Sequence, residues 1–210
     1  MSPRTPQQFK EMREEKMTHI MNVALEHFAN DGYFRTPISD IAKHAGISKG
    51  LMYNYFESKE ALLRAIVHKS VNEIYHNLDL NRDGYLSNEE FEIFIRKLDK
   101  MLRENKYFWR LLFQLLAQND VREQFLNAFP ETDSLIHPGH EPGDTNYPRR
   151  IIKMITDYFN RKSKALGKKS DPETEINVFF ITMTGFAVQH IYSDADDNEK
   201  VINRIIALFK

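Results

Sequence analysis

The chain has 210 residues, 41% of them hydrophobic and 28% charged, with a formal net charge of −1 and no cysteine. That balance excludes a disordered chain, a disulfide scaffold and a cysteine-based zinc site, and it leaves room for a packed core. No apolar run long enough to span a membrane occurs and Met1 to Lys10 is polar, so the expectation is a cytoplasmic protein with no membrane contact and no export signal.

In chain order the apolar spacing is helical throughout, and the expected fold class is all-α. Ile20, Val23, Ala24, His27 and Phe28 trace one face of a first helix, which Gly32 ends. Thr36-Pro37 reads as an N-cap with proline at the first position of a short second helix through Ile38, Ile41 and Ala42, broken at Gly46. Ser48 caps a third short helix, Lys49 to Tyr55, and Ser58 caps a long fourth, from about Lys59 to Leu78. A polar loop with an Asp-Gly turn follows, from Asp79 to Glu90. Helices are then expected over 88–104, 107–118, 120–129, 149–166, 172–192 and 196–209, with the longest irregular stretch at 130–147.

Two short helices joined by a tight turn, behind a longer supporting helix, are the grammar of a helix-turn-helix. The second short helix is the one that enters a major groove. Here Gly50 permits close approach to a DNA backbone. Lys49, Tyr53 and Tyr55 are placed to reach phosphates, and Lys49, Leu51, Met52 and Asn54 to reach base edges or thymine methyls. Overall charge gives little support. Residues 1–70 carry ten Lys and Arg against eight Asp and Glu, and only the face that meets phosphate needs to be basic.

The stretch Ala24 to Leu63 resembles the tetracycline-repressor (TetR) family of regulators. The resemblance is carried by Gly32-Tyr33 at the end of the first helix, Thr36, Ile41-Ala42, Ala45-Gly46-Ile47-Ser48-Lys49-Gly50, Tyr53-Asn54-Tyr55-Phe56, and Lys59-Glu60 with Leu62. It implies that Thr36, Lys49, Tyr53, Tyr55 and Lys59 contact the DNA backbone. The candidate DNA-binding set is then Thr36, Ser48, Lys49, Gly50, Met52, Tyr53, Asn54, Tyr55 and Lys59, with Phe56 assigned to the small core. The resemblance also implies a double-stranded DNA operator, a homodimer closed by the last helices and a small-molecule effector. The 172–192 segment fits that dimer, because Ile176, Phe179, Phe180, Met183, Phe186, Val188 and Ile191 make it apolar on more than one face.

A second pattern is independent of the first. Asp79 to Glu90 fits a twelve-residue EF-hand calcium loop. Calcium is a hard cation that takes six to eight oxygens. Asp79, Asn81 and Asp83 supply side-chain oxygens in this reading, Tyr85 its carbonyl, Ser87 a water-mediated contact and Glu90 a bidentate carboxylate, with Gly84 at the sharp turn. Val71, Ile74, Tyr75 and Leu78 precede the loop at helical spacing, and Phe91, Phe94, Ile95 and Leu98 follow it. Ser87 to Glu90 also reads as a capping box and Asp83-Gly84 as a turn, but neither accounts for Asp79 and Asn81. No second EF-hand loop pairs with this one, and Asp194 to Glu199 reads as a helix start.

His137, His140 and Glu141 read as surface loop, and Tyr107, Phe108, Trp109, Phe113, Phe125 and Phe129 as core or the lining of an effector pocket. No nucleophile elbow, phosphate-cradling loop or His-Glu-x-x-His occurs, so neither an enzyme nor an organic cofactor is expected. The domains expected are 1–56, a helix-turn-helix, and 57–210, a helical effector and dimerisation domain containing the 71–98 helix-loop-helix. The function expected is a DNA-binding transcription repressor modulated by calcium. The alternatives are a regulator of the same type answering a small organic effector, with calcium only structural, and a calcium-binding interaction protein that does not bind DNA.

Overall fold

The computed structural model describes residues 5–118, 121, 147–166, 171–193 and 198–210. These residues form nine helices and no strand. They are α1 (Pro6–Asn30), α2 (Ile38–His44), α3 (Lys49–Tyr55), α4 (Lys59–Leu78), α5 (Asn88–Glu104), α6 (Lys106–Leu116), α7 (Tyr147–Leu166), α8 (Pro172–Tyr192) and α9 (Glu199–Phe209). The all-α class is as expected. The 130–146 stretch, His137, His140, Glu141, Phe125, Phe129 and Asp194 lie outside the described residues, as does the 120–129 helix apart from residue 121. No helix among the described residues is long and apolar enough to cross a membrane.

The described residues form two compact units. The first holds residues 5–69 together with 111–118 and 121, and the second holds the rest. The division therefore runs through α4 between Lys69 and Ser70, not between residues 56 and 57. The reason is visible in burial. Leu62, Leu63, Ile66 and Val67 on the first half of α4 are buried with Ile20, Ala24, Leu25 and Phe28 of α1, Ile41 and Ala42 of α2, and Met52 of α3 in the first unit. The end of α6 belongs to the same unit. Gln118 Nε2 donates to Phe28 O at 2.9 Å, Gln114 Nε2 donates to Ala29 O at 2.9 Å, and Tyr33 N donates to Gln118 Oε1 at 3.2 Å. Two of the carbonyls that α1 cannot satisfy at its own C-terminus are thus paired from about 85 residues away.

In the second unit α5 packs on α8 and α9, and α7 packs on α8. Their meeting point is aromatic. Phe91 of α5 stacks on Tyr158 of α7 with centroids 4.8 Å apart, while Phe159 and Phe179 both meet Phe209 edge-on. The Tyr158 hydroxyl donates to Phe209 O at 3.2 Å, and burial pushes its pKa up to about 12. A polar junction lies where α5, α8 and α9 come together. His190 Nδ1 is 2.7 Å from Asn198 Nδ2 and 3.8 Å from Asp99 Oδ1, and both His190 and Asp99 are buried.

Burial holds the His190 imidazole below its ordinary value of 6.5, with Asp99 opposing and Arg103 and Lys106 assisting. The unfolded chain therefore takes up this proton first as pH falls. The stability that His190 contributes is complete above its unfolded pKa and is lost as pH drops through the folded one. Urea titrations from about pH 7.5 down to about pH 5.5 are expected to show falling stability, with part of that slope removed by His190→Gln. An identical slope in the variant would assign the pH dependence to other groups.

Candidate nucleic-acid interface

The α2–α3 turn is built by a sequence that stops one helix and caps the next. Ala45 is the C-cap of α2, and Ile47 N donates to Ala42 O at 3.0 Å across Gly46, whose φ of +65 closes the turn. A side chain at Gly46 would meet no steric block, so it is the backbone angle that calls for glycine there. Ser48 then accepts from Leu51 N at 3.1 Å as the N-cap of α3.

Of the seven residues of α3, only Met52 is buried. Lys49, Gly50, Leu51, Tyr53 and Asn54 face outward, Ser48 is exposed beside them, and Tyr55 is half-buried. Met52 therefore anchors the helix and is not presented to a partner, which corrects its expected place among base contacts. Phe56 is buried, as assigned.

Two further expectations change. Thr36 is 2% exposed, and its hydroxyl donates to Gly32 O at 2.9 Å. It ties the end of the α1–α2 loop, and its hydroxyl is spent within the protein. Lys59 is turned inward as well. Its ammonium donates to Tyr33 O at 2.9 Å and to Thr36 O at 3.2 Å, and it lies 4.6 Å from the centre of the Tyr33 ring. The Tyr33 hydroxyl in turn donates to Glu60 Oε1 at 3.2 Å. Burial, then the Glu60 charge, raise the Tyr33 pKa, and Glu60 is held low chiefly by its backbone hydrogen bond. Sequence reasoning missed Arg13 and Lys16. Arg13 Nη2 donates to Asn54 O at 3.0 Å and Lys16 Nζ to Ala45 O at 3.1 Å, contacts that no local motif announces.

The Asp79–Glu90 loop is held by its own side chains. Asp83 N donates to Asn81 Oδ1 at 3.1 Å, Gly84 N to Asp79 Oδ1 at 3.3 Å, and Tyr85 N to Asp83 Oδ1 at 2.7 Å. Arg82 and Gly84 have positive φ, 62 and 71. Asp79 is buried, with Oδ2 accepting from Tyr75 OH at 2.7 Å. Burial, then this bond, raise the Tyr75 pKa. Leu86 is buried, its carbonyl accepts from Arg161 at 2.7 Å, and the same guanidinium lies 4.0 Å from the centre of the Tyr85 ring. Glu90 is occupied elsewhere. Its Oε2 accepts from Ser87 N at 3.0 Å and from Ser87 Oγ at 2.9 Å, closing a capping box for α5. Among the described residues no three acidic or histidine side chains are grouped as metal ligands.

Lys59→Ala is expected to cost about 1–2 kcal/mol of stability, because it strips partly buried carbonyls of a charged donor. Denaturant unfolding checks this. A neutral result would return Lys59 to the surface set.

Comparison with known proteins agrees with this geometry. Residues 20–66 match the pattern of the bacterial regulatory proteins of the tetR family. YerO of Bacillus subtilis, an uncharacterized HTH-type transcriptional regulator, is 31% identical over 128 residues, which is 58% of this chain and 44% of YerO. YuxN of the same organism is 48% identical over 54 residues, 26% of this chain and 19% of that protein. The alignments thus span less than half of either relative. Among solved structures, the transcriptional regulator FadR from Bacillus subtilis, in complex with stearoyl-CoA, superposes with a TM-score of 0.66. The match covers 91% of this chain and 96% of FadR at 16% identity, which speaks for the fold alone. Residues 20–66, which hold the helix-turn-helix, therefore match the pattern of the tetR family, on a chain whose helical fold is similar to that of FadR.

Proposed function

We propose that the chain is a cytoplasmic, homodimeric transcription regulator that represses by holding a DNA operator through α3. The observation that carries this reading is the outward face of α3. Lys49, Leu51, Tyr53 and Asn54 surround Gly50, and a methyl group at Gly50 would meet nothing nearer than Ser48 Oγ at 4.0 Å. Glycine inside a helix costs about 1 kcal/mol relative to alanine. Nothing among the described residues calls for it here, whereas a sugar-phosphate backbone lying against the helix would. Dimerisation rests on α8. Val178, Ile181, Gly185, Val188 and Tyr192 are exposed at spacings of three and four, with Ile181 73% exposed, while Phe179, Met183 and Phe186 face the core. A second copy of the chain is the occupant proposed for that stripe. The fold likeness to FadR, solved with stearoyl-CoA, supports a small organic effector for the helical unit.

Selection of duplexes from a random library by the full chain tests the reading. It is expected to yield two half-sites, with affinity falling steeply as salt rises. Lys49→Ala is expected to reduce the slope of log affinity against log salt by about 0.9. Ile181→Glu is expected to sediment as a monomer and to lose the two-site duplex. If no duplex is retained at low salt, the chain is no DNA binder, and a calcium-binding interaction protein becomes the better reading.

A second reading concerns the Asp79–Glu90 loop, which we propose binds calcium. Supporting it are the positive φ angles at Arg82 and Gly84 and the Asx-type bonds that order Asp79, Asn81 and Asp83. Tyr85 O and Ser87 would complete the oxygen set. Glu90 must first exchange its bonds to Ser87 for the ion. Calorimetric titration of the chelator-stripped protein is expected to show micromolar binding that Glu90→Gln abolishes. Absence of heat at millimolar calcium would leave the loop as turn and cap.

A further inference from the structure

Helix α1 begins well before residue 20, where the match to the family pattern starts. In that leading segment Arg13 and Lys16 stand three residues apart, on one face of the helix. Each reaches the C-terminal end of a different helix of the helix-turn-helix. Lys16 Nζ donates to Ala45 O, the C-cap residue of α2, at 3.1 Å. Arg13 Nη2 donates to Asn54 O near the end of α3 at 3.0 Å, and its guanidinium lies 5.0 Å from the centre of the Tyr55 ring. The last turn of α3 has no basic residue of its own. The carbonyls there carry the negative end of the helix dipole and have no partner within the helix. Arg13 supplies the missing cation from another element.

We propose that Arg13, assisted by Lys16, is a positioning residue for DNA recognition, fixing the C-terminal end of α3 and the Tyr55 ring so that the outer face of α3 enters the groove in one pose. This rests on the DNA-binding reading. The guanidinium acts through α3, because its visible contacts are a carbonyl and a ring of that helix. A phosphate contact by Arg13 is the competing role, and salt dependence separates the two. A cation that neutralises a phosphate contributes to the salt slope of binding, whereas a cation that holds a helix does not.

The test uses the full chain and the duplex it selects from the random library. Arg13→Ala is expected to weaken binding about tenfold, as loss of one charged hydrogen bond allows, with the salt slope unchanged. Its melting midpoint should stay within about 2 °C of wild type, because the side chain is exposed. Arg13→Lys keeps the charge and a donor but loses the planar fork over Tyr55, so it should bind between the two. Wild-type affinity in Arg13→Ala overturns the inference, and so does a slope reduced by about 0.9 or a large fall in melting midpoint. Wild-type protein that retains no duplex overturns the function reading itself, and this inference falls with it.

Discussion

A seven-residue helix cannot hold itself in water, and the surface proposed to meet DNA is carried by such a helix, α3. One turn of hydrogen bonds returns too little for the backbone entropy it fixes. Everything around α3 compensates for that shortage. Met52 is its one fully buried side chain, Ser48 closes its front, Phe56 drops into the core immediately after its end, and Arg13 of α1 donates to Asn54 O near its end. The shortage is useful. A longer or more deeply packed helix would bury the face that has to remain free, so recognition and stability compete for the same seven residues, and stability is supplied from outside.

The same logic explains which parts of the site could be read from sequence. Local rules are legible at most caps and turns but not at Thr36, expected to cap α2: the N-cap residue is Pro37, with no side-chain cap, and the Thr36 hydroxyl serves Gly32 O. Ser48 and Ser58 accept from the amides three residues on, Ser87 and Glu90 close their capping box, and Gly46 takes the left-handed angle the turn needs. Thr36 and Lys59 are engaged within the protein for one shared reason. Each carries a polar group that suits either a phosphate or an unsatisfied carbonyl, and the carbonyls of Gly32, Tyr33 and Thr36 were the nearer partners. Periodicity states which side chains face inward, but it does not rank competing acceptors. Arg13 and Gln118 were invisible for a different reason, since their partners stand 41 and 90 residues away.

The domain boundary follows from helix length. A helix of 20 residues is about 30 Å long, roughly the width of a small domain, so α4 can serve in two cores. Its first half buries Leu62, Leu63, Ile66 and Val67, and its second half buries Tyr75 and Leu78. A boundary drawn at the end of the helix-turn-helix motif cuts the chain where recognition ends. The boundary in contacts lies where burial changes partner. Motif and folding unit are different objects here, and the family match over residues 20–66 runs past the motif into the half of α4 that belongs to the first unit.

Glu90 shows most clearly how two readings of one sequence can coexist. Serine at one position and glutamate three later make a capping box, and the ninth and twelfth positions of a calcium loop ask for the same two residues. In this conformation the carboxylate of Glu90 serves the amide and hydroxyl of Ser87. The oxygens of Asp79, Asn81 and Asp83 each accept a loop amide with one oxygen, and a carboxylate oxygen retains lone pairs beyond those bonds. Ion binding would therefore demand the least of the first half of the loop and the most of Glu90, whose carboxylate would have to leave Ser87 N and Oγ to reach the metal. The capping box of α5 would lose its Glu90 half while Ser87 Oγ still accepts from Glu90 N, so the start of that helix is where an ion would be felt first.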